Sequence, residues 1–210
     1  MLTPKQILTK YWGYDKFRPM QEDIIQSVLD GNDTLALLPT GGGKSLCYQV
    51  PALIMDGVCI VISPLIALMK DQVENLKKRG VNALAVNSAM SRTEIDVALD
   101  LAVDGKLKLL YVSPERLLTD LFRERVKRMK VSLLAVDESH CISQWGYDFR
   151  PPYLQIAAVR QYLPSVPVLA LTATATPVVV KDIQEKLSFQ KGKVFQKSFE
   201  RKNLTYLVYH

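Results

Sequence analysis

The chain has 210 residues, of which 48% are hydrophobic and 23% charged, and it carries a net charge of +6. That is enough for one large domain with a sizeable core, or one domain with a tail. The apolar stretches are strand-length and interrupted, which excludes a transmembrane helix, and the N-terminus lacks the apolar run of a signal peptide.

Cys47, Cys59 and Cys141 are widely spaced and form no CxxC pair. A disulfide or structural-zinc framework is therefore not expected, and a reducing cytoplasm is the expected compartment. Basic residues crowd 116–130 and 181–202. Such runs permit a nucleic-acid partner, and they equally suit solvated helix faces.

In chain order, residues 19–30 predict a helix with Ile24, Ile25, Val28 and Leu29 on one face, stopping at Gly31. An apolar strand at 34–38 then runs into Pro39-Thr40-Gly41-Gly42-Gly43-Lys44-Ser45, with a helix expected to open at Lys44. Glycines let successive backbone N–H groups face one anion, and a helix N-terminus adds its positive dipole end. Lys44 can reach the β/γ-phosphates of a nucleotide, and the Ser45 hydroxyl can ligate Mg²⁺. Leu38 stands where the generic phosphate-loop pattern has glycine, so by itself the run also reads as an ordinary turn.

Further strands are expected at 58–62, 83–86, 107–112, 132–136 and 168–172. Ser91-Arg92-Thr93-Glu94 is a capping box opening a helix with Ile95, Ala98, Leu99 and Ala102 inward. Pro177 opens a helix through Leu187. The strand at 132–136 delivers Asp137-Glu138-Ser139-His140. Asp137 can hold a metal, and Glu138 can orient and deprotonate a water. An Asp-Glu pair alone also suits an acidic turn; together with the glycine-rich turn it points to an NTPase. Continuous apolar strands alternating with helices predict an α/β fold: a twisted, mainly parallel sheet with helices on both faces. Its ligand site belongs at the strands' C-terminal ends, where 39–45, Ser63, Ser113, 137–140 and 172–176 fall.

Directly after the carboxylates, residues 141–153 hold Trp145, Tyr147, Phe149, Arg150 and Tyr153. Gly146, Pro151 and Pro152 argue for a loop, and exposed aromatics in a loop need a partner. Bases stack on aromatic rings at ~1–3 kcal/mol each, and arginine adds phosphate or cation–π contact.

Aligned this way, the chain resembles the first motor domain of the RecQ family of superfamily 2 DNA helicases, from about residue 8 onward. Tyr14 and Phe17-Arg18-Pro19-Met20-Gln21 are similar to the family's motif upstream of the phosphate loop. There the resemblance implies that Gln21 reads the adenine edge, Tyr14 stacks on the base and Arg18 assists. Without the resemblance these residues read as the start of an amphipathic helix. Thr40, Gly41, Gly42, Gly43, Lys44 and Ser45 match the RecQ form of the phosphate loop, which accommodates Leu38. The loops at Ser63 and Ser113 are implied to touch the DNA backbone, and Trp145, Phe149 and Arg150 to sense single-stranded DNA. Asp137, Glu138 and His140 are implied at the catalytic centre, with Thr172 and Thr174 in the coupling motif. Tyr147 stands where the family usually has His, and Pro152 where it usually has Glu.

The resemblance implies ATP and Mg²⁺ as cofactors, single-stranded DNA and duplex junctions as partners, 3′-to-5′ unwinding, and a monomer with no membrane contact. It also implies domain limits of 1–198, with 199–210 as the start of a second motor domain that supplies an arginine finger. Three rivals remain: a DEAD-type RNA helicase domain, a nucleotide-dependent binding module without its own turnover, and a small P-loop kinase.

Overall fold

The computed structural model describes residues 2–196. The expected start of a second motor domain at 199–210 lies outside the described residues.

Among the described residues seven strands form one sheet: β1 Thr34–Leu37, β2 Val58–Ile62, β3 Ala83–Val86, β4 Leu109–Val112, β5 Val131–Val136, β6 Val168–Thr172 and β7 Lys193–Gln196. Their order is β3-β4-β2-β5-β6-β1-β7, and every pairing is parallel. The six strands expected from the sequence are all present, two of them shorter at one end. Leu38 and Leu107 lie outside strands yet remain buried. The seventh, β7, is an edge strand whose four residues are mostly exposed, so no apolar run announced it.

Eight α-helices cover this sheet among the described residues. They are α1 Pro4–Trp12, α2 Gln21–Leu29, α3 Leu46–Ile54, α4 Ile66–Lys78, α5 Arg92–Val103, α6 Asp120–Val126, α7 Ile156–Tyr162 and α8 Pro177–Lys186. The Ser91 capping box is formed, with Glu94 reaching back to the Ser91 backbone. Pro177 sits in the first turn of α8 behind its N-cap Thr176.

Because successive strand residues point to opposite faces, each buried strand serves two cores. Leu35, Leu37, Ile60, Ile62, Leu134 and Val136 pack with α5, α6, α7 and α8. Ala36, Cys59, Val61, Leu133, Ala135 and Leu171 pack with α2, α3 and α4 on the other face. The strands' lack of alternation is thus the signature of burial on both sides.

Topology places the chemistry. Only β6 separates β1, which leads into the glycine-rich turn, from β5, which leads into Asp137. On the other side of β5, Ile62 pairs with Val136, which sets Ser63 beside Asp137. All these loops open at the same C-terminal edge of a parallel sheet.

Candidate active site

Gly41 and Gly43 have φ of 75° and 78°, and these are the two points of the turn that need glycine's left-handed freedom. At Gly43 there is a second reason, since a Cβ would lie 2.4 Å from the Gln21 amide nitrogen. Leu38 is outside the left-handed set and fills the core, which explains why the generic first glycine is dispensable here. The helix α3 starts at Leu46, two residues later than expected. Residues Lys44 and Ser45 form a tighter turn first, with Leu46 N donating to Gly43 O and Cys47 N to Lys44 O. Ser45 is the N-cap of α3 and makes no side-chain capping bond.

Three side-chain donors brace the turn, two of them from the segment upstream of β1. Arg18 donates to the Gly41 carbonyl, and Lys44 Nζ reaches the Leu38 carbonyl at 3.4 Å. Gln21, only 1% exposed, accepts from Arg18 N at 2.8 Å and donates to Gly43 O at 3.0 Å. Tyr14 is exposed above this turn.

A cleft of about 630 Å³ unites the two motifs. Tyr14, Arg18, Gln21, Thr40, Gly41, Gly43, Lys44, Ser45, Asp137 and Glu138 all line it. Gly42 falls just outside, in a smaller hollow with Thr40 and Gly41. Gln49 and Gln72, which the sequence reading missed, line the cleft too and bond to each other at 2.8 Å. Gln49 also reaches the buried Tyr111 hydroxyl at 3.3 Å. Their signal is faint, since a lone Gln on each of two amphipathic helices looks like surface.

Asp137 is buried, and its carboxyl accepts from Glu138 N at 3.0 Å and from Ser63 Oγ at a long 3.5 Å. Burial, and then the neighbouring Glu138, push the Asp137 carboxyl up to about 6. The carboxyl is thus a buried oxygen ligand with a second carboxylate beside it, whose charged form a Mg²⁺ would favour. Glu138 itself adopts φ 47°, ψ 45°, a left-handed conformation that turns the chain sharply after β5.

His140 is buried and joins three elements. Its Nδ1 lies 2.9 Å from Thr172 Oγ1 and 3.4 Å from the Glu138 carboxylate. Thr172 Oγ1 also lies within donating distance of the Thr174 carbonyl, and with the Glu138 carboxylate facing Nδ1 this arrangement favours the tautomer with the ring proton on Nδ1. Desolvation holds the His140 pKa below its ordinary value, so the ring is neutral near pH 7. The Thr172 carbonyl meanwhile accepts from Leu38 N at 3.1 Å, so this residue bridges the glycine-rich turn and the carboxylates.

The aromatic loop divides into a buried foot and an exposed tip. Tyr153 is fully buried and donates to the Asp137 carbonyl at 2.9 Å. Arg150 donates to Asp148 Oδ2 at 3.0 and 3.2 Å. Trp145 and Tyr147 are 74% and 79% exposed, and Phe149 is half-buried. Tyr147 nevertheless stacks on His140 with ring centroids 4.8 Å apart, and Thr174 Oγ1 donates to its hydroxyl at 3.3 Å.

The Ser63 and Ser113 side chains lie beneath this exposed surface. Each is only 2% exposed; Ser63 serves Asp137, and the Ser113 hydroxyl has no hydrogen-bond partner among the described residues. Both follow the C-terminal ends of their strands, where Ser63 N donates to Val112 O and Ser113 N to Val86 O.

The sequence profile described as "DEAD/DEAH box helicase" matches residues 18–183. The chain belongs to the DEAD/DEAH box helicase family. It is 46% identical over 206 residues to the "ATP-dependent DNA helicase RecQ" of Pasteurella multocida, covering 98% of this chain and 33% of that protein. It is 48% identical over 206 residues to the protein of the same name from Bacillus subtilis, covering 97% and 35%. The chain thus spans about a third of the length of the curated relatives it matches. The solved helicase domain of Pyrococcus furiosus Hef superposes with a TM-score of 0.62 at 22% identity, over 86% of this chain and 38% of that one. It confirms the helicase fold. Asp137-Glu138-Ser139-His140 follows the end of β5, inside the matched range.

Proposed function

We propose that this chain is the nucleotide-binding motor domain of an ATP-dependent DNA helicase of RecQ type, unwinding 3′ to 5′. The observation that carries the reading is a continuous path of contacts from the exposed loop to the carboxylates. Tyr147 stacks on His140, His140 reaches Glu138 and Thr172, and Thr172 holds the strand end that opens the glycine-rich turn. Such a path lets occupancy of the loop by a nucleic acid alter the geometry at the hydrolytic centre.

In this reading ATP lies in the cleft with its phosphates against the backbone of 41–45 and Lys44. Ser45 and Asp137 would hold Mg²⁺, which when bound supplies neutralising charge to the phosphates. Glu138 orients and deprotonates the attacking water, and His140, neutral with its proton on Nδ1, holds the Glu138 carboxylate in place. Tyr14 stacks on the base. Gln21 reads the adenine edge once it releases the Gly43 carbonyl. Single-stranded DNA is taken by Trp145, Phe149 and Arg150 through stacking and phosphate contact. A second motor domain of the full-length protein would place an arginine against the γ-phosphate, an effect worth ~10³–10⁵ in rate in related NTPases. Buried thiols at Cys47, Cys59 and Cys141 suit the reducing cytoplasm.

The test is steady-state ATPase of the full-length protein with no nucleic acid, with single-stranded DNA and with single-stranded RNA, alongside nucleotide titrations. Lys44→Ala is expected to lose Mg-ATP binding. Trp145→Ala is expected to keep ATP affinity while losing most of the DNA stimulation. Stimulation by RNA alone, or full DNA stimulation in Trp145→Ala, would overturn the reading.

A further inference from the structure

Three groups with metal-binding atoms converge at the foot of the aromatic loop, beside the proposed Mg²⁺ position but facing away from it in chemistry. His140, Cys141 and Asp148 each offer one ligand atom, and all three atoms lie within 4.8 Å of one another. Cys141 Sγ is 3.8 Å from His140 Nε2 and 3.6 Å from Asp148 Oδ2. A tetrahedral ion with bonds of about 2.0–2.3 Å separates its ligand atoms by about 3.5 Å. The spacing therefore fits an ion at the centre of the three with only small side-chain movement.

Each ligand is oriented by a group outside the trio. Thr172 Oγ1 takes the His140 Nδ1 proton at 2.9 Å, and the Glu138 carboxylate backs it at 3.4 Å, which leaves Nε2 with a bare lone pair toward Cys141. A histidine ligand whose other ring nitrogen is held by an oxygen is the usual arrangement at zinc. Arg150 fixes the Asp148 carboxylate with two hydrogen bonds and, through its backbone N–H, holds the Cys141 carbonyl at 2.9 Å. The donor set also selects the ion. One thiolate, one neutral imidazole and one carboxylate suit zinc-like ions, and not Mg²⁺, which takes oxygen ligands.

We propose that His140, Cys141 and Asp148 form a three-ligand site for a thiophilic divalent cation of the Zn²⁺ class, with a fourth position open to water or an inhibitor. On binding, the Cys141 S–H bond breaks, its proton passes to solvent and a sulfur–metal bond forms, so the ion is joined to one thiolate and one carboxylate with no net charge left over. Because the ligands span 140–148, the ion ties the base of the aromatic loop to His140 and locks its orientation. Where the loop carries the DNA signal proposed above, an occupied site holds that signal in one state.

Cobalt(II) titration of the reduced 210-residue chain, followed by absorption, tests the site without nucleotide or DNA. The expected result is one equivalent bound, with a sulfur-to-cobalt charge-transfer band and strong tetrahedral d–d bands, displaced by Zn²⁺ and untouched by millimolar Mg²⁺. Cys141→Ser should abolish the sulfur band, although Cys47 and Cys59 remain. Asp148→Asn, at a half-exposed position that is safe for folding, should weaken affinity by about tenfold or more. Absence of a sulfur band in the wild type, or a band that survives Cys141→Ser, would overturn the proposal, as would unchanged affinity in Asp148→Asn.

Discussion

Two buried aspartates sit at opposite ends of the same sheet, and their surroundings treat them in opposite ways. Asp33, just before β1, is saturated. Its carboxylate accepts from Arg160 at 2.8 and 2.9 Å, from Val168 N at 2.8 Å and from Gln190 N at 2.8 Å. These bonds tie together the starts of β1 and β6, the helix α7 and the segment leading to β7. Asp137, just after β5, has one good backbone donor, one long contact to Ser63, and a second carboxylate next to it. A buried charge with a full complement of partners is a fastener. A buried charge left short of them stands open to a ligand.

The sharpest way to break the comparison is to leave Asp33 uncompensated. Arg160→Ala should destabilise the chain by about 3–5 kcal/mol in urea unfolding, because the carboxylate stays buried without its cation. Nucleotide affinity of the folded fraction should be unchanged. A loss below about 1 kcal/mol would remove the distinction between the two sites.

At the other end a substitution should stabilise. The native carboxyl of Asp137 is raised from the ordinary 3.8 to about 6, so ionising it costs the folded state more than the unfolded one. Wild-type stability therefore falls as pH rises from about 4 through about 6, and stays lower above that. Asp137→Asn removes this penalty, gaining about 1–3 kcal/mol above pH 6, with the gain shrinking towards zero below about pH 4. Unfolding curves at the two pH values, without nucleotide or divalent ions, check the sign. The same variant should bind Mg-ATP more weakly, so stability and function move in opposite directions at this residue.

The smallest effect separates the loop from both aspartates. Tyr147→Phe keeps the stack on His140 and deletes the hydroxyl that Thr174 contacts, at an exposed position. Stability should shift by no more than about 0.5 kcal/mol. DNA-stimulated ATPase should fall by about twofold to tenfold, in line with one neutral hydrogen bond. A stability loss like that of Arg160→Ala would mean that the loop tip is part of the core.

Much of this was legible in the chain because the relevant signals are local. Six buried strands announced themselves as continuous apolar runs, and Ser91 with Glu94 declared a helix start. What escaped depends on partners distant in sequence. β7 forms because β1 offers it an edge, and its exposed Lys193-Val194-Phe195-Gln196 carries no apolar signature. Ser63 and Ser113 looked like surface hydroxyls, and only the neighbouring strands reveal them as buried. The Gln49–Gln72 pair bridges two helices, so neither residue betrays the other. Asp33 reads as a loop residue until Arg160, far along the chain, is folded against it.

The glycine-rich turn has one more consequence. Its neighbouring side-chain donors are turned inward: Arg18, Gln21 and Lys44 all meet carbonyls of Leu38 to Gly43. For these three side chains an arriving nucleotide would trade one set of hydrogen bonds for another. Departure is eased for these three side chains, since each has an internal acceptor to return to as the ligand leaves. A machine that cycles must release its spent fuel as readily as it takes on fresh fuel. A cradle that reseals itself favours quick exchange over tight retention.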